Sequence, residues 1–183
     1  MGTPMTNRRT VIERGRFSSV LPILIFALCV SVYSLAADSA PQVSLSTSKA
    51  APRSVEPLTE RAILRDYKYA WANLTHALEV SSTGPLNGLF EGNASAALIG
   101  EIHGQRKNGL SSSYLNQNHK VEAVFYSPEG DLIELHDTAD YDLQIHDGDK
   151  TIHNEHVIAH YVVLMTPGAD RWVVRQLQAV PQF

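Results

Sequence analysis

Residues 132–145 read LIELHDTADYDLQI, and apolar side chains recur at every second position along most of this stretch. Such alternation is typical of a β-strand with one face buried against a core. The Asp147-Gly148 pair that follows favours a tight turn, and residues 151–165 have the composition of a second long strand. The sequence therefore predicts a long antiparallel hairpin, around which the rest of the domain is arranged.

Further elements flank this hairpin on both sides. Strands are predicted over 121–126 and 171–180. A helix is predicted over 60–80, because its apolar residues recur at helical spacing behind a candidate N-cap, Thr59. A second helix is predicted from Asn93 to the Lys107-Asn108-Gly109 stop. Helices followed by a meander of strands indicate an α+β domain with helices on one face of a curved antiparallel sheet.

The chain before residue 58 divides into three segments. Residues 1–16 form a basic tail, and residues 17–37 carry no charged side chain. Such a run indicates either a transmembrane anchor or the apolar core of a signal peptide cleaved near Ala36. In both cases the basic end stays in the cytoplasm and the remainder is extracytoplasmic. Residues 38–57 are rich in Ser, Ala, Thr and Pro, which predicts a disordered linker before a domain over 58–183.

Charge and cysteine content restrict the possible partners. The segment 58–183 has 9 Lys or Arg against 16 Asp or Glu, so nucleic acid and anionic lipid are not expected to bind it. The single cysteine, Cys29, excludes an internal disulfide. Four histidines lie close together, but strand geometry separates His156 from His160 by about 13 Å, and neither a metal nor a cofactor is predicted. The clustered histidines are His146, His153, His156 and His160.

Two stretches resemble the NTF2-like superfamily. The first is the helix 65–74, RDYKYAWANL, and the second is the closing strand 170–177, DRWVVRQL. Within that superfamily the chain is most similar to the intermembrane-space-like domain of ARC6-type division proteins. The resemblance implies a cone in which the first helices close one side of a bent sheet. It implies no particular activity, because such folds include enzymes, binding proteins and scaffolds.

A pocket enzyme is one function that this fold allows. Asp137 is the single acid among the odd, apolar positions of 132–145, and burial would suit it to act as a general base. Leu135, Tyr141 and Tyr161 would line the pocket with it, and Tyr141 or His160 would donate the proton. The competing interpretations are a bulge at Asp137-Thr138 that turns the side chain outward, and a structural, hydrogen-bonded Asp137.

The register of the hairpin decides which groups Asp137 meets. A two-residue turn places His156, Ile158 and His160 on the inner face. A three-residue bulged turn places Val157, Ala159 and Tyr161 there instead, because a one-residue slip reverses every side chain. The second register buries the more apolar set and is favoured.

Three functional hypotheses follow from these patterns. The first is a non-enzymatic module, tethered to the membrane through residues 17–37, that binds a protein partner or a second copy of itself through the sheet. The second is an isomerase or hydratase that uses Asp137. The third is a secretion-system component of the VirB8 type, which shares a single anchor and this fold.

Overall fold

The computed structural model describes residues 40–183, and the basic tail and the apolar run predicted over 1–37 lie outside them. In chain order the elements are β1 (Gln42–Ser46), β2 (Ala51–Pro52), α1 (Pro57–Glu79), a 3₁₀ turn (Gly84–Leu86), α2 (Gly92–Lys107), β3 (Leu110–Tyr126), β4 (Ile133–Asp147), β5 (Lys150–Pro167) and β6 (Trp172–Val180). The predicted α+β class is confirmed.

The strands form one sheet in the order β1-β3-β4-β5-β6, with β2 also paired to β3. Strands β3 to β6 are antiparallel, as the sequence indicated. Both β1 and β2 pair in parallel with β3, so the sheet is mixed rather than purely antiparallel. Helix α1 packs against β3 and β6, and α2 packs against the same two strands.

The predicted disordered linker over 38–57 is wrong from residue 42 onward. Residues 42–46 form β1, whose partners on β3 run from Asn118 to Glu122. Val43 and Leu45 are half-buried and pack against the core, while Gln42, Ser44 and Ser46 are exposed. Composition predicts disorder here because the segment has few large apolar residues. The edge of β3 supplies the backbone hydrogen bonds that stabilise it.

The third strand is longer than predicted, since β3 begins at Leu110 and not at residue 121. Its first half is rich in serine, asparagine and glutamine, so the spacing of apolar residues does not indicate a strand there. A register shift between Leu115 and Asn118 interrupts the pairing with β4, and Asn116 has a φ of 55° there. The bulge bends β3 and restores its alternation on the far side.

The helix ends differ from the predicted caps in detail. Helix α1 begins at Pro57 after Glu56, so Thr59 lies inside the first turn and not at the N-cap. Proline suits this first position because an N–H group there would have no hydrogen-bond partner within the helix, so its absence costs nothing. Helix α2 follows Glu91 rather than Asn93. Its predicted stop is confirmed: Gly109 follows the helix with a φ of 70°.

The hairpin has the second register. Asp137 lies opposite Tyr161, and Ala139 lies opposite Ala159. The turn between Asp147 and Lys150 contains two residues. A bulge next to Ile145 adds one unpaired residue to β5, and this shift gives the register that was expected from a three-residue turn. The inner face of β5 is therefore the apolar one.

Among residues 40–183, no helix is long and apolar enough to cross a membrane.

The assignment of β1 to the folded domain gives a stability prediction. Replacement Leu45→Ala removes a half-buried side chain from the core edge, and we expect it to lower the free energy of unfolding by about 1–3 kcal/mol. Replacement Gln42→Ala, at an exposed position of the same strand, should change it by less than about 0.5 kcal/mol. Equal, negligible effects in urea unfolding would show that β1 contributes nothing to the fold.

Candidate functional site

A closed polar cluster lies between α1 and the sheet. The Tyr67 hydroxyl donates to Asp137 Oδ2 at 2.7 Å, and His119 Nδ1 lies 2.8 Å from the same oxygen. His119 and Asp137 have no exposed surface, and Tyr67 is 1% exposed. With the carboxylate ionised, Nδ1–H of His119 is the second donor. Two donors therefore converge on one buried oxygen.

Each member of the cluster comes from a different element. Tyr67 belongs to the apolar stripe of α1, Asp137 to the inner face of β4, and His119 to the inner face of β3. Asp137 lies directly opposite Val121, so His119 reaches it diagonally across the strand pair. The Trp71 ring covers His119 at 4.4 Å between ring centroids. Helix packing and sheet register together assemble the cluster.

Burial and the neighbouring Asp137 carboxylate raise the pKa of the Tyr67 phenol well above its usual value. Tyr67 therefore remains a protonated donor at neutral pH. Asp137 Oδ1 and His119 Nε2 have no hydrogen-bond partner in the part of the chain that the structure describes. A carboxylate buried in this way depends strongly on the donors it does have.

The cluster is closed to solvent. A crevice lined in part by Tyr67, Val121 and Leu135 lies next to it and is too narrow to hold a water molecule. A substrate that reached Asp137 would first have to displace core side chains. In this conformation the cluster can orient α1 on the sheet, but it offers no binding pocket.

The structure places the predicted pocket residues on the inner face, apart from His160. Leu135 and Asp137 are fully buried, and Tyr161 lies opposite Asp137 on β5. Tyr141 lies further along β4, with its hydroxyl oxygen 3.4 Å from that of Tyr161. His160 is on the opposite face, where its Nδ1 lies 3.2 Å from Thr138 Oγ1. The proposed proton donor His160 is therefore separated from Asp137 by the sheet.

Sequence reasoning missed His119 as a partner of Asp137. Its position lies outside the strand predicted over 121–126, so the predicted alternation assigns its side chain to neither face. The usable signal was parity: residues 119, 121 and 123 share a face, and Val121 and Ala123 are apolar. Tyr67 lies at helical spacing in the apolar stripe of the helix predicted over 60–80, which indicates a core side chain and gives no sign that its hydroxyl donates a hydrogen bond.

The opposite face of the sheet is open. We define the outer sheet face by exposed or half-buried side chains of β4, β5 and the C-terminus: Asp140, Asp142, His156, Ile158, His160 and Phe183. Ile158 is 61% exposed and Phe183 is 53% exposed. The Phe183 ring stacks on His136 at 4.3 Å, beside a groove of about 440 Å³. This face offers apolar and acidic groups side by side.

One acid of the outer sheet face, Asp142, is held in place by hydrogen bonds. Asn116 donates to Asp142 Oδ2 at 2.8 Å, and His156 Nδ1 lies 3.1 Å from Asp142 Oδ1. These two contacts lower the pKa of the Asp142 carboxyl. His156 also lies 3.6 Å from Asp140. Asp142 is therefore a fixed negative charge on this surface.

A second groove, the α1 groove, lies on the outward side of the first helix and has a volume of about 630 Å³. It is lined by Ala40, Arg65, Asp66, Lys68, Tyr69, Ala72, Asp170 and Arg171. Within residues 40–183 no three His, Cys, Asp or Glu side chains are grouped so as to hold a metal ion.

Comparison with known proteins supports the fold. No protein-family model and no curated protein matches the sequence. Among solved structures, the chain is similar to the crystal structure of the intermembrane space region of the chloroplast protein ARC6, with 11% identity and a TM-score of 0.51. The match covers 70% of this chain and 98% of that one. At this identity the likeness shows a shared fold.

The closed cluster gives a stability prediction. Replacement Asp137→Asn turns an acceptor that receives two donors into a group with its own donors, and we expect it to lower the free energy of unfolding by about 1–3 kcal/mol. The control Glu129→Gln, at an exposed turn position, should stay within about 0.5 kcal/mol. Chemical denaturation measures both, and an unchanged Asp137→Asn variant would refute a structural role for the carboxylate.

The raised Tyr67 pKa predicts a loss of stability at alkaline pH. The unfolded chain releases the Tyr67 proton near its ordinary pKa of about 10, whereas the folded chain retains it, so stability falls as pH rises above about 10. Replacement Tyr67→Phe should remove up to about 1.4 kcal/mol of that fall per pH unit. The exposed Tyr69→Phe serves as control, and identical pH profiles for the two variants would contradict the assignment.

Proposed function

We propose that this protein is a membrane-tethered, extracytoplasmic interaction module with an NTF2-like fold, which binds a protein partner and performs no catalysis. The observation that carries the proposal is the contrast between the two faces of the sheet. The only acid predicted as a catalytic base, Asp137, is fully buried and bound to Tyr67 and His119. The opposite face offers exposed apolar and charged groups.

The N-terminal sequence is what supports the extracytoplasmic position. The solved structure that shares this fold is an intermembrane space region. In the present chain, four arginines precede the uncharged residues 17–37. A basic segment before an apolar run of this length favours a cytoplasmic N-terminus and an exported domain.

The outer sheet face is the surface that we propose for the partner. It combines Ile158 and Phe183 with the carboxylates of Asp140 and Asp142, which suits a partner segment carrying apolar and basic side chains. Two copies of this face would oppose like charges around a two-fold axis. That repulsion favours a different protein over a homodimer through the sheet.

Photo-cross-linking in the full-length protein tests this proposal. A photoreactive residue at position 158 should yield an adduct with a second protein in the membrane fraction, whereas one at Val80, which is 50% exposed just after α1, should not. Paired replacement of Asp140 and Asp142 by Asn should weaken the adduct several-fold, since it removes the charge complementarity. The change Asp137→Asn, in a variant that remains folded, should leave it intact.

Three outcomes would contradict the proposal. Adducts containing only this chain would establish the homodimer. Recovery of the protein in the soluble fraction would refute the tether. Adducts that are equally strong at residues 80 and 158 would show that the outer sheet face has no special role. An adduct with secretion-system subunits would instead assign the module to the VirB8 type.

A further inference from the structure

The outward face of α1 has an unusual composition. The exposed residues between positions 58 and 76 of this helix are Leu58, Arg61, Arg65, Lys68, Tyr69 and His76. They occupy one side of the helix, opposite the buried stripe that contains Ile63, Tyr67 and Leu74. No acidic residue is among them. We call these six residues the basic helix face.

The charge of this face is opposite in sign to that of the domain around it. Residues 40–183 contain 11 Lys or Arg and 17 Asp or Glu. Arg61 and Lys68 form no ion pair with any residue that the structure describes. Helix α1 as a whole has three basic and three acidic residues, so the positive charge is concentrated on its exposed face and not on the helix in general.

Arg65 and Arg171 are both paired with acids, but the partner of Arg65 is buried, whereas Asp170, the partner of Arg171, is 70% exposed and offsets its charge. Arg65 contacts Asp66, yet its side chain is 66% exposed while the aspartate is 6% exposed. Asp66 also accepts the backbone N–H of Trp172 at 2.8 Å, which holds it inside the fold. The Arg171 guanidinium lies 5.6 Å from the centroid of the Tyr69 ring. The guanidinium groups thus border an exposed tyrosine on the same surface.

The chain enters the described domain at this surface. Ala40 lines the α1 groove together with Arg65, Lys68 and Tyr69. The uncharged run ends at residue 37, so only residues 38 and 39 separate it from Ala40. Three residue steps span at most about 10 Å. Residues 42–46 form β1, so the long spacer predicted from composition is not available to increase that reach.

We propose that the basic helix face lies against the membrane, where it binds anionic phospholipid headgroups. This inference rests on the proposed membrane tether. Arg61, Arg65 and Lys68 attract headgroup phosphates, while Leu58 and Tyr69 occupy the interface, as apolar and aromatic side chains of interfacial helices do. Helix α1 covers the inner face of the sheet, so this orientation leaves the outer sheet face directed away from the lipid.

Headgroup quenching in proteoliposomes tests the orientation. The full-length chain is reconstituted with Cys29 replaced by Ser and one new cysteine carrying a fluorophore, either Leu58→Cys on the basic helix face or Thr151→Cys on the hairpin. The vesicles contain nitroxide-headgroup phosphatidylcholine, with or without about 30% phosphatidylglycerol. We expect strong quenching at position 58 and weak quenching at position 151, in anionic vesicles only.

Charge variants test the recognition itself. Replacement of both Arg61 and Lys68 by Glu should lower the fraction of protein whose label at position 58 contacts the lipid at least tenfold. The reason is that each basic charge removed or reversed weakens docking about fivefold. The matched change Lys150→Glu, at an exposed turn, should have little effect. Raising the salt concentration to 0.5 M should weaken quenching in the same way, because exposed charges are screened.

The outcomes distinguish this inference from the proposed function. Extraction of the protein from the vesicles by alkaline carbonate refutes the tether and, with it, the orientation. Retention in the vesicles with equal quenching at both labels, or with none, refutes the orientation alone. Quenching that ignores lipid charge and the Glu variants refutes headgroup binding.

Discussion

The arrangement of the domain depends on one buried carboxylate. Asp137 has no exposed surface, and it receives hydrogen bonds from a helix residue, Tyr67, and from a neighbouring strand residue, His119. A buried charge is costly unless its donors are in place, so the three elements must adopt one relative position. The cluster fixes how α1 lies on the sheet, and thereby which side of α1 faces outward.

That constraint separates the two surfaces of the domain. The inner face is occupied by α1, α2 and the polar cluster, which leaves no open pocket at Asp137. The outer sheet face and the basic helix face then lie on opposite sides of the fold. One presents fixed carboxylates with exposed apolar groups, and the other presents cations beside the point where the chain enters. A module between a membrane and a protein partner would use both.

Net charge proved a poor guide to these surfaces. The sequence indicates an acidic domain that anionic lipid should repel, and the total charge of residues 40–183 agrees. Charge acts locally at contact distances, however, because salt screens it beyond about 10 Å. Arg61, Arg65 and Lys68 share one exposed helix face, so that face carries the opposite sign.

By itself the sequence determined the α+β class, the order of the main elements, the stop of α2 at Gly109 and the burial of Asp137, since local periodicity and turn chemistry encode them. Only the tertiary structure decided that residues 42–46 join the sheet, that β3 begins at Leu110, and that His119 meets Asp137. These features depend on hydrogen bonds to a distant strand edge and on the bulge between β3 and β4. Neither leaves a periodic signal in the residues concerned, because the stabilising partner lies far away along the chain.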